Sequence, residues 1–233
     1  MTQAEVAEVM TALAELATPR MRKYYLSLGV REPVYGAPTG AMKPLARRHK
    51  GNQALAEALY ASNVFDAMYV AGMIADVPAM SPDDFRRWMA AAYCPVIADF
   101  IVSVSLAEAS FAQSLAAEFI DSELVTTAAG GWNCYEWLLG SRPDAEFAPA
   151  MVQGLLERVI HQCATQPPAV QHAMQRVVVA IGVSYRPLHG EALQAATTLQ
   201  ARLGASADEK LLAQIAQAAT KGRIGFKRRH VRC

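Results

Sequence analysis

Apolar residues recur at spacings of three and four along nearly the whole chain, and this periodicity limits the fold more than any other feature. An α-helix turns once in about 3.6 residues, so such spacing gives each segment a single face to bury. The stretch SPDDFRRWMAAAY, residues 81–93, is the plainest case. Ser81 can accept from the open N–H groups of a first turn, and Pro82 suits the first helical position. Asp83 and Asp84 sit favourably at the positive end of the helix dipole. Phe85, Trp88, Met89 and Ala92 then fall on one stripe. Similar units follow: Asn63 opens VFDAMYVAGMIAD, Pro95 opens VIADFIVSVSLAEA, Asp144 opens EFAPAMVQGLLERVIHQ, and Pro167 and Pro168 open AVQHAMQRVVVAIGVSY. The expectation is an all-α chain of short helices joined by brief turns. On the residues alone, two packings stay open: antiparallel pairs stacked as a solenoid, or an irregular helical globule.

With 233 residues, 53% of them hydrophobic, the chain can bury one substantial core. No Ser/Gly/Pro-rich linker divides it, so residues 1–220 read as one domain followed by a basic tail, 221–233. The N-terminal stretch carries Glu5, Glu8 and Glu15 where a secretion signal needs a basic start, which points to the cytoplasm. The longest stretch free of charged side chains, Val159 to Gln175, holds His161, Gln162, Gln166 and Pro167, so no membrane span is expected. Cys94, Cys134, Cys163 and Cys233 stand singly, without a CxxC pair. His161, Cys163 and His172 match no metal-ligand spacing, and neither metal nor cofactor is expected.

Charge is distributed unevenly. The tail holds six of the 22 Lys and Arg residues and none of the 21 carboxylates, although the chain's formal charge is only +1. Its cations are Lys221, Arg223, Lys227, Arg228, Arg229 and Arg232. So dense a cluster is expected to stay out of the core and meet a polyanion. A second cluster, KPLARRHK, puts Lys43, Arg47 and Lys50 on one helical face. A third set, Arg20, Arg22 and Lys23, precedes Tyr24 and Tyr25. Each patch has a plainer reading as a solvated face.

Three stretches carry a resemblance. YGAPTGAMKPLARRHKGNQALAEALYASNVFDAMYVAGMIAD, residues 35–76, is similar to the first repeats of the DNA alkylation repair enzymes, the AlkD-like HEAT-repeat family. VQHAMQRVVVAIGVSYRPL, residues 170–188, resembles a late repeat, and GRIGFKRRHVRC resembles the ending of one branch. The resemblance implies a HEAT-like, C-shaped helical solenoid holding double-stranded DNA with alkylated bases. It also implies a metal-free glycosylase acting on cationic purines of the 3-methyladenine or 7-methylguanine type, expected as a monomer. Non-catalytic binding of damaged or branched DNA, and a protein-interaction scaffold, are the competing functions.

Excision of a cationic base leaves oxocarbenium character on the sugar, which one carboxylate can stabilise. At 4 Å and an effective dielectric of 20, such a pair is worth about 4 kcal/mol, roughly a thousandfold in rate. The resemblance places that carboxylate at Asp99, in YCPVIADFI. The family's Trp four residues earlier falls at Pro95, with Tyr93 nearby. Its phosphate-pinning Arg falls at Thr127, and its late aromatic at Arg176, which becomes a DNA-binding candidate. Asp99 also has a bland reading, as the solvent side of an amphipathic helix. Trp132 and Tyr135, in GGWNCYEW, join Tyr24, Tyr25 and Tyr93 as candidate aromatic walls, against a core-packing alternative.

Overall fold

The computed structural model describes residues 3–229 and Arg232; His230, Val231 and Cys233 of the tail lie outside the described residues. Every regular element among the described residues is helical. Backbone packing divides the chain into two compact units, one running up to Ala109 with Arg232 added, the other starting at Ser110.

The first unit contains α1 (Gln3–Glu15), α2 (Pro19–Ser27), α3 (Thr39–Arg48), α4 (Gln53–Ala61), α5 (Phe65–Ile74), α6 (Pro82–Ala91), α7 (Pro95–Ile97) and α8 (Val104–Leu106). Helix α6 starts as its sequence requires. Ser81 Oγ accepts from the Asp84 N–H while the Asp84 carboxylate accepts from the Ser81 N–H, and Phe85, Trp88, Met89 and Ala92 are all buried. Tyr60 stacks on Trp88 at 4.2 Å, and its hydroxyl donates to the Trp88 carbonyl at 2.6 Å.

Helix α5 begins one residue later than Asn63 suggests. Asn63 takes a left-handed φ of 56°, which asparagine tolerates better than most residues, and Val64 precedes the first turn. Between α2 and α3, the buried Asp66 accepts from the N–H groups of Tyr35, Gly36 and Ala37 at 2.6, 3.1 and 2.7 Å, holding the Tyr-Gly-Ala-Pro turn. Gly36 is required there. Its φ is 92°, and a Cβ would lie 2.5 Å from the Arg22 nitrogen.

The second unit contains α9 (Ala112–Ile120), α10 (Val125–Ser141), α11 (Pro149–Gln162), α12 (Pro168–Ser184), α13 (His189–Leu203) and α14 (Leu211–Thr220). Asp144 opens only a single 3₁₀ turn, Asp144–Glu146, and α11 proper begins at Pro149, whose fixed φ suits the first helical position. α10 packs against α9 and α12, and α12 packs also against α13 and α14.

Three glycines mark the closest crossings. A Cβ on Gly72 of α5 would sit 2.8 Å from Ile101, one on Gly182 of α12 2.8 Å from Ile215, and one on Gly131 of α10 2.6 Å from the Ile120 nitrogen. Only the last of these meets backbone first, which cannot move aside as a side chain can. Gly131→Ala is therefore expected to destabilise the protein by about 1–3 kcal/mol, overpacking outweighing the gain in helix propensity. Gly154→Ala, in α11 with open space around it, should be neutral or stabilising by up to about 1 kcal/mol. Thermal melts of the two variants check the contrast.

Candidate nucleic-acid interface

In the first unit, α3 and the turn that follows it bring three cations together, Lys50 lying past the helix end that the sequence spacing would have included. Lys43, Arg47 and Lys50 line a hollow of about 160 Å³ together with Ala46 and Met73. All three are exposed, and none has a carboxylate partner among the described residues. Arg48 alongside lies 4.0 Å from Glu8, at the limit of an ion pair. Arg22 pairs with Glu32, which removes one cation of the Arg20, Arg22, Lys23 set from free display.

Asp99 is 3% exposed, within a π-helical stretch, Ala98–Ser103, between α7 and α8. Its neighbour Phe100 is the exposed residue, at 43%. The solvent-side reading of Asp99 is thus overturned. A π turn takes in one more residue than an α turn and so shifts which side chains face inward; here Val104 donates its N–H to the Asp99 carbonyl. The stretch packs on α5 through the Gly72–Ile101 approach, and Ser105 Oγ donates to the Ile101 carbonyl at 2.6 Å.

The aromatic candidates separate by burial. Tyr25 (4% exposed), Trp132 (1%) and Tyr135 (3%) are core residues and offer no face to a ligand. Tyr25 packs on Phe65 and donates to the Ala37 carbonyl, and Tyr135 donates to the Gln113 carbonyl. Apolar neighbours at helical spacing bury such rings, and the hydroxyls find backbone acceptors. Tyr24 is exposed. Tyr93 is half-buried beneath the Arg31 guanidinium, 4.2 Å from the ring centre, an arrangement its sequence neighbourhood did not signal. Burial is the main reason its hydroxyl is pushed up to about 12, with Cys94 reinforcing it and Arg31 opposing, so it titrates far above neutral pH.

In the second unit, the tail contradicts the expectation that its charges stay clear of the core. The Gly225 N–H donates to the Val183 carbonyl at 2.8 Å, and the Arg228 N–H to the Gly140 carbonyl at 2.8 Å. Lys227 Nζ pairs with Asp144 at 2.8 Å and donates to the Leu139 carbonyl. Arg228 lies over the Trp137 ring at 4.6 Å and pairs with Glu136 at 3.1 Å. In the first unit Arg232 is committed likewise, to Glu108 at 2.7 Å and to the carbonyls of Gly72 and Ala75. The acidic body supplies carboxylates and helix-end carbonyls that absorb half of the tail's charge. Lys221, Arg223 and Arg229 remain exposed, without a carboxylate partner among the described residues.

Glu136 is the hub that sequence reasoning missed. It is 7% exposed, and its two oxygens hold Arg228 and Arg176. Arg176 is therefore a partly buried member of an ion triad and not a free phosphate contact. A glutamate in the middle of an otherwise apolar α10 stretch, WNCYEWLL, was the available signal. Thr127, where the resemblance puts the family's Arg, is half-buried in the first turn of α10. Cys163 is a packed thiol, pushed up to about 11 by burial. Among the described residues, no group of three or more His, Cys, Asp or Glu side chains could hold a metal ion.

Helices packed in pairs, with cations unpaired by carboxylates on and just after one of them and, among the described residues, no helix long and apolar enough to cross a membrane, define a HEAT-like helical-repeat protein with a surface suited to a polyanion. The model of the DNA alkylation repair enzymes matches residues 9–184, and the chain belongs to that family. A solved structure described as representing "a new family of proteins related to the HEAT-like repeat DNA glycosylases with affinity for branched DNA structures" is 38% identical, with a TM-score of 0.90. The match covers 98% of this chain and 99% of that one. No curated protein matches the chain.

Removing the hub has a defined consequence. Glu136→Ala leaves two guanidiniums facing each other without their counterion and should cost about 1–3 kcal/mol, less than a fully buried pair because both arginines keep partial solvent contact. Trypsin cleavage at Lys227 and Arg228 should accelerate in the variant as the tail loses its anchor, readable by mass spectrometry alongside the melting temperature.

Proposed function

We propose that this protein binds branched DNA through its backbone phosphates and does not excise bases. The observation that carries this reading is the substitution of the family's working positions. The resemblance puts Pro95 where the family has Trp, Thr127 where it has the phosphate-pinning Arg, and Arg176, here tied to Glu136, where it has the late aromatic. Glycosidic cleavage needs a carboxylate beside a sugar that other groups hold in place. Asp99 remains, but as a 3% exposed residue without that set. What the chain does retain is cationic. Lys43, Arg47 and Lys50 on one unit, and Lys221, Arg223 and Arg229 on the other, suit phosphates, which give affinity without base recognition. The likeness to a structure described as having affinity for branched DNA supports the same direction.

A glycosylase acting on cationic alkylated purines is the second reading, and the retention of Asp99 favours it. Two measurements separate them. Binding to a four-way junction and to a linear duplex of equal length should favour the junction, and methylated duplex should release 7-methylguanine no faster than it does alone. Asp99→Asn should leave junction affinity nearly unchanged. Release above the spontaneous rate that Asp99→Asn abolishes would establish the enzyme instead. The combined Lys43→Gln, Arg47→Gln, Lys50→Gln variant should bind more weakly and lower the salt slope by about 2–3, as loss of that many phosphate contacts requires.

A further inference from the structure

Between α10, α12, α14 and the tail lies a hollow of about 450 Å³, all of whose walls belong to the second unit. One face of α12 supplies much of it: His172 and Arg176 at one end, then Val179, Ala180 and Val183, a spacing that keeps them on one side of a helix. Glu136 and Arg228 form a polar floor with Arg176. The Arg228 guanidinium lies across α10 at Gly140, 3.6 Å from where a Cβ would be.

Two features set this hollow apart from an ordinary surface depression. First, Arg228 is fixed by its backbone bond to Gly140, by the Trp137 ring and by Glu136, yet its side chain is 46% exposed. Its remaining guanidinium N–H groups have no protein acceptor among the described residues. Second, Phe226 is 67% exposed on the rim although the chain is anchored on both sides of it, at Gly225 and at Arg228. It separates this hollow from a second one of about 290 Å³, also lined by Lys221, Arg223 and Gln214. Over both hollows, Arg176, Arg228, Lys221 and Arg223 outnumber the carboxylates Glu136 and Asp208, with His172 as a further titratable group.

An aromatic rim, an apolar wall, a floor of fixed donors and acceptors and a flanking cationic hollow match the parts of one nucleotide: flat base, polar base edge, phosphate. We propose that the larger hollow receives a single unpaired nucleotide of a branched DNA. Its base lies against Phe226 and the apolar face of α12, its edge meets Arg176, Glu136 and Arg228, and its phosphate meets Lys221 and Arg223. The pocket rests on the DNA-binding reading above and adds what that reading lacks, a means of preferring a branch point with an unpaired base over one fully paired.

The test compares two four-way junctions bound by the full chain, one fully paired and one with a single unpaired 2-aminopurine at the branch point. The junction with the unpaired base should bind about tenfold more tightly, the worth of one base–aromatic stack. Its fluorescence should change as the base leaves solvent. Phe226→Ala should erase both the preference and the fluorescence change, and Phe226→Tyr should keep both; an unchanged melting temperature verifies that the alanine variant is folded. Equal binding of the two junctions by the unaltered protein, or a preference and fluorescence change that survive Phe226→Ala, would overturn the pocket while leaving junction binding intact. Failure to bind either junction would instead sink the DNA-binding reading, and the pocket with it.

Discussion

Close approach of helices is the constraint on which both units depend. Gly72, Gly131 and Gly182 each stand where a Cβ would fall within 2.9 Å of the facing segment, an isoleucine side chain at Gly72 and Gly182 and the backbone itself at Gly131. Helices in such contact lose water from long apolar stripes, and the stripes here are rich in Ala, Val, Leu and Ile. The same closeness locks the axial register of neighbours. That register determines where side chains beyond the core point, and for this reason the π stretch around Asp99, packed on Gly72, cannot be shifted alone.

Charge follows from packing. A buried carboxylate requires a partner, and Glu136 finds two, one from α12 and one from the tail. Those two bonds turn a cationic segment from a free arm into a wall. The tail divides accordingly into residues that build structure, Lys227, Arg228 and Arg232, and residues that remain available to a polyanion, Lys221, Arg223 and Arg229. Around α3 no such division occurs, because among the described residues no carboxylate pairs with Lys43, Arg47 or Lys50.

Local physics was readable in the sequence where a few adjacent residues decide it. Ser81, Pro82 and Asp84 announced the start of α6, and the 3–4 spacing announced its buried face. The Tyr-Gly-Ala-Pro turn could be singled out by its resemblance, but the Asp66 carboxylate that secures it lies some thirty residues away and left no local mark. The same limit hid the site. Asp99 looked equally suited to solvent because an α-helical wheel assigns faces that a π turn rearranges. The tail looked free because its acceptors are Glu136, Asp144 and the carbonyls of Leu139 and Gly140, all far away in sequence. Trp132 and Tyr135 had a correct plain reading in their spacing, since rings one turn apart on an apolar helix are ordinarily core.

The departures that the resemblance places at Pro95, Thr127 and Arg176 bear on what the proposed function demands of the site. Excision requires groups that grip the sugar of one nucleotide while a carboxylate addresses its C1′, and each lost contact weakens positioning before chemistry begins. Holding a branch requires only that cations follow the phosphates and that the surface tolerate strands leaving a stacked duplex. On the resemblance, Pro95 stands in place of a large ring and Arg176, drawn into an ion triad, in place of an aromatic, and the proposed binding role calls for neither ring. A scaffold whose helix crossings rest on Gly72, Gly131 and Gly182 can change at Pro95, Thr127 and Arg176 without refolding, because none of these positions is one of those glycines.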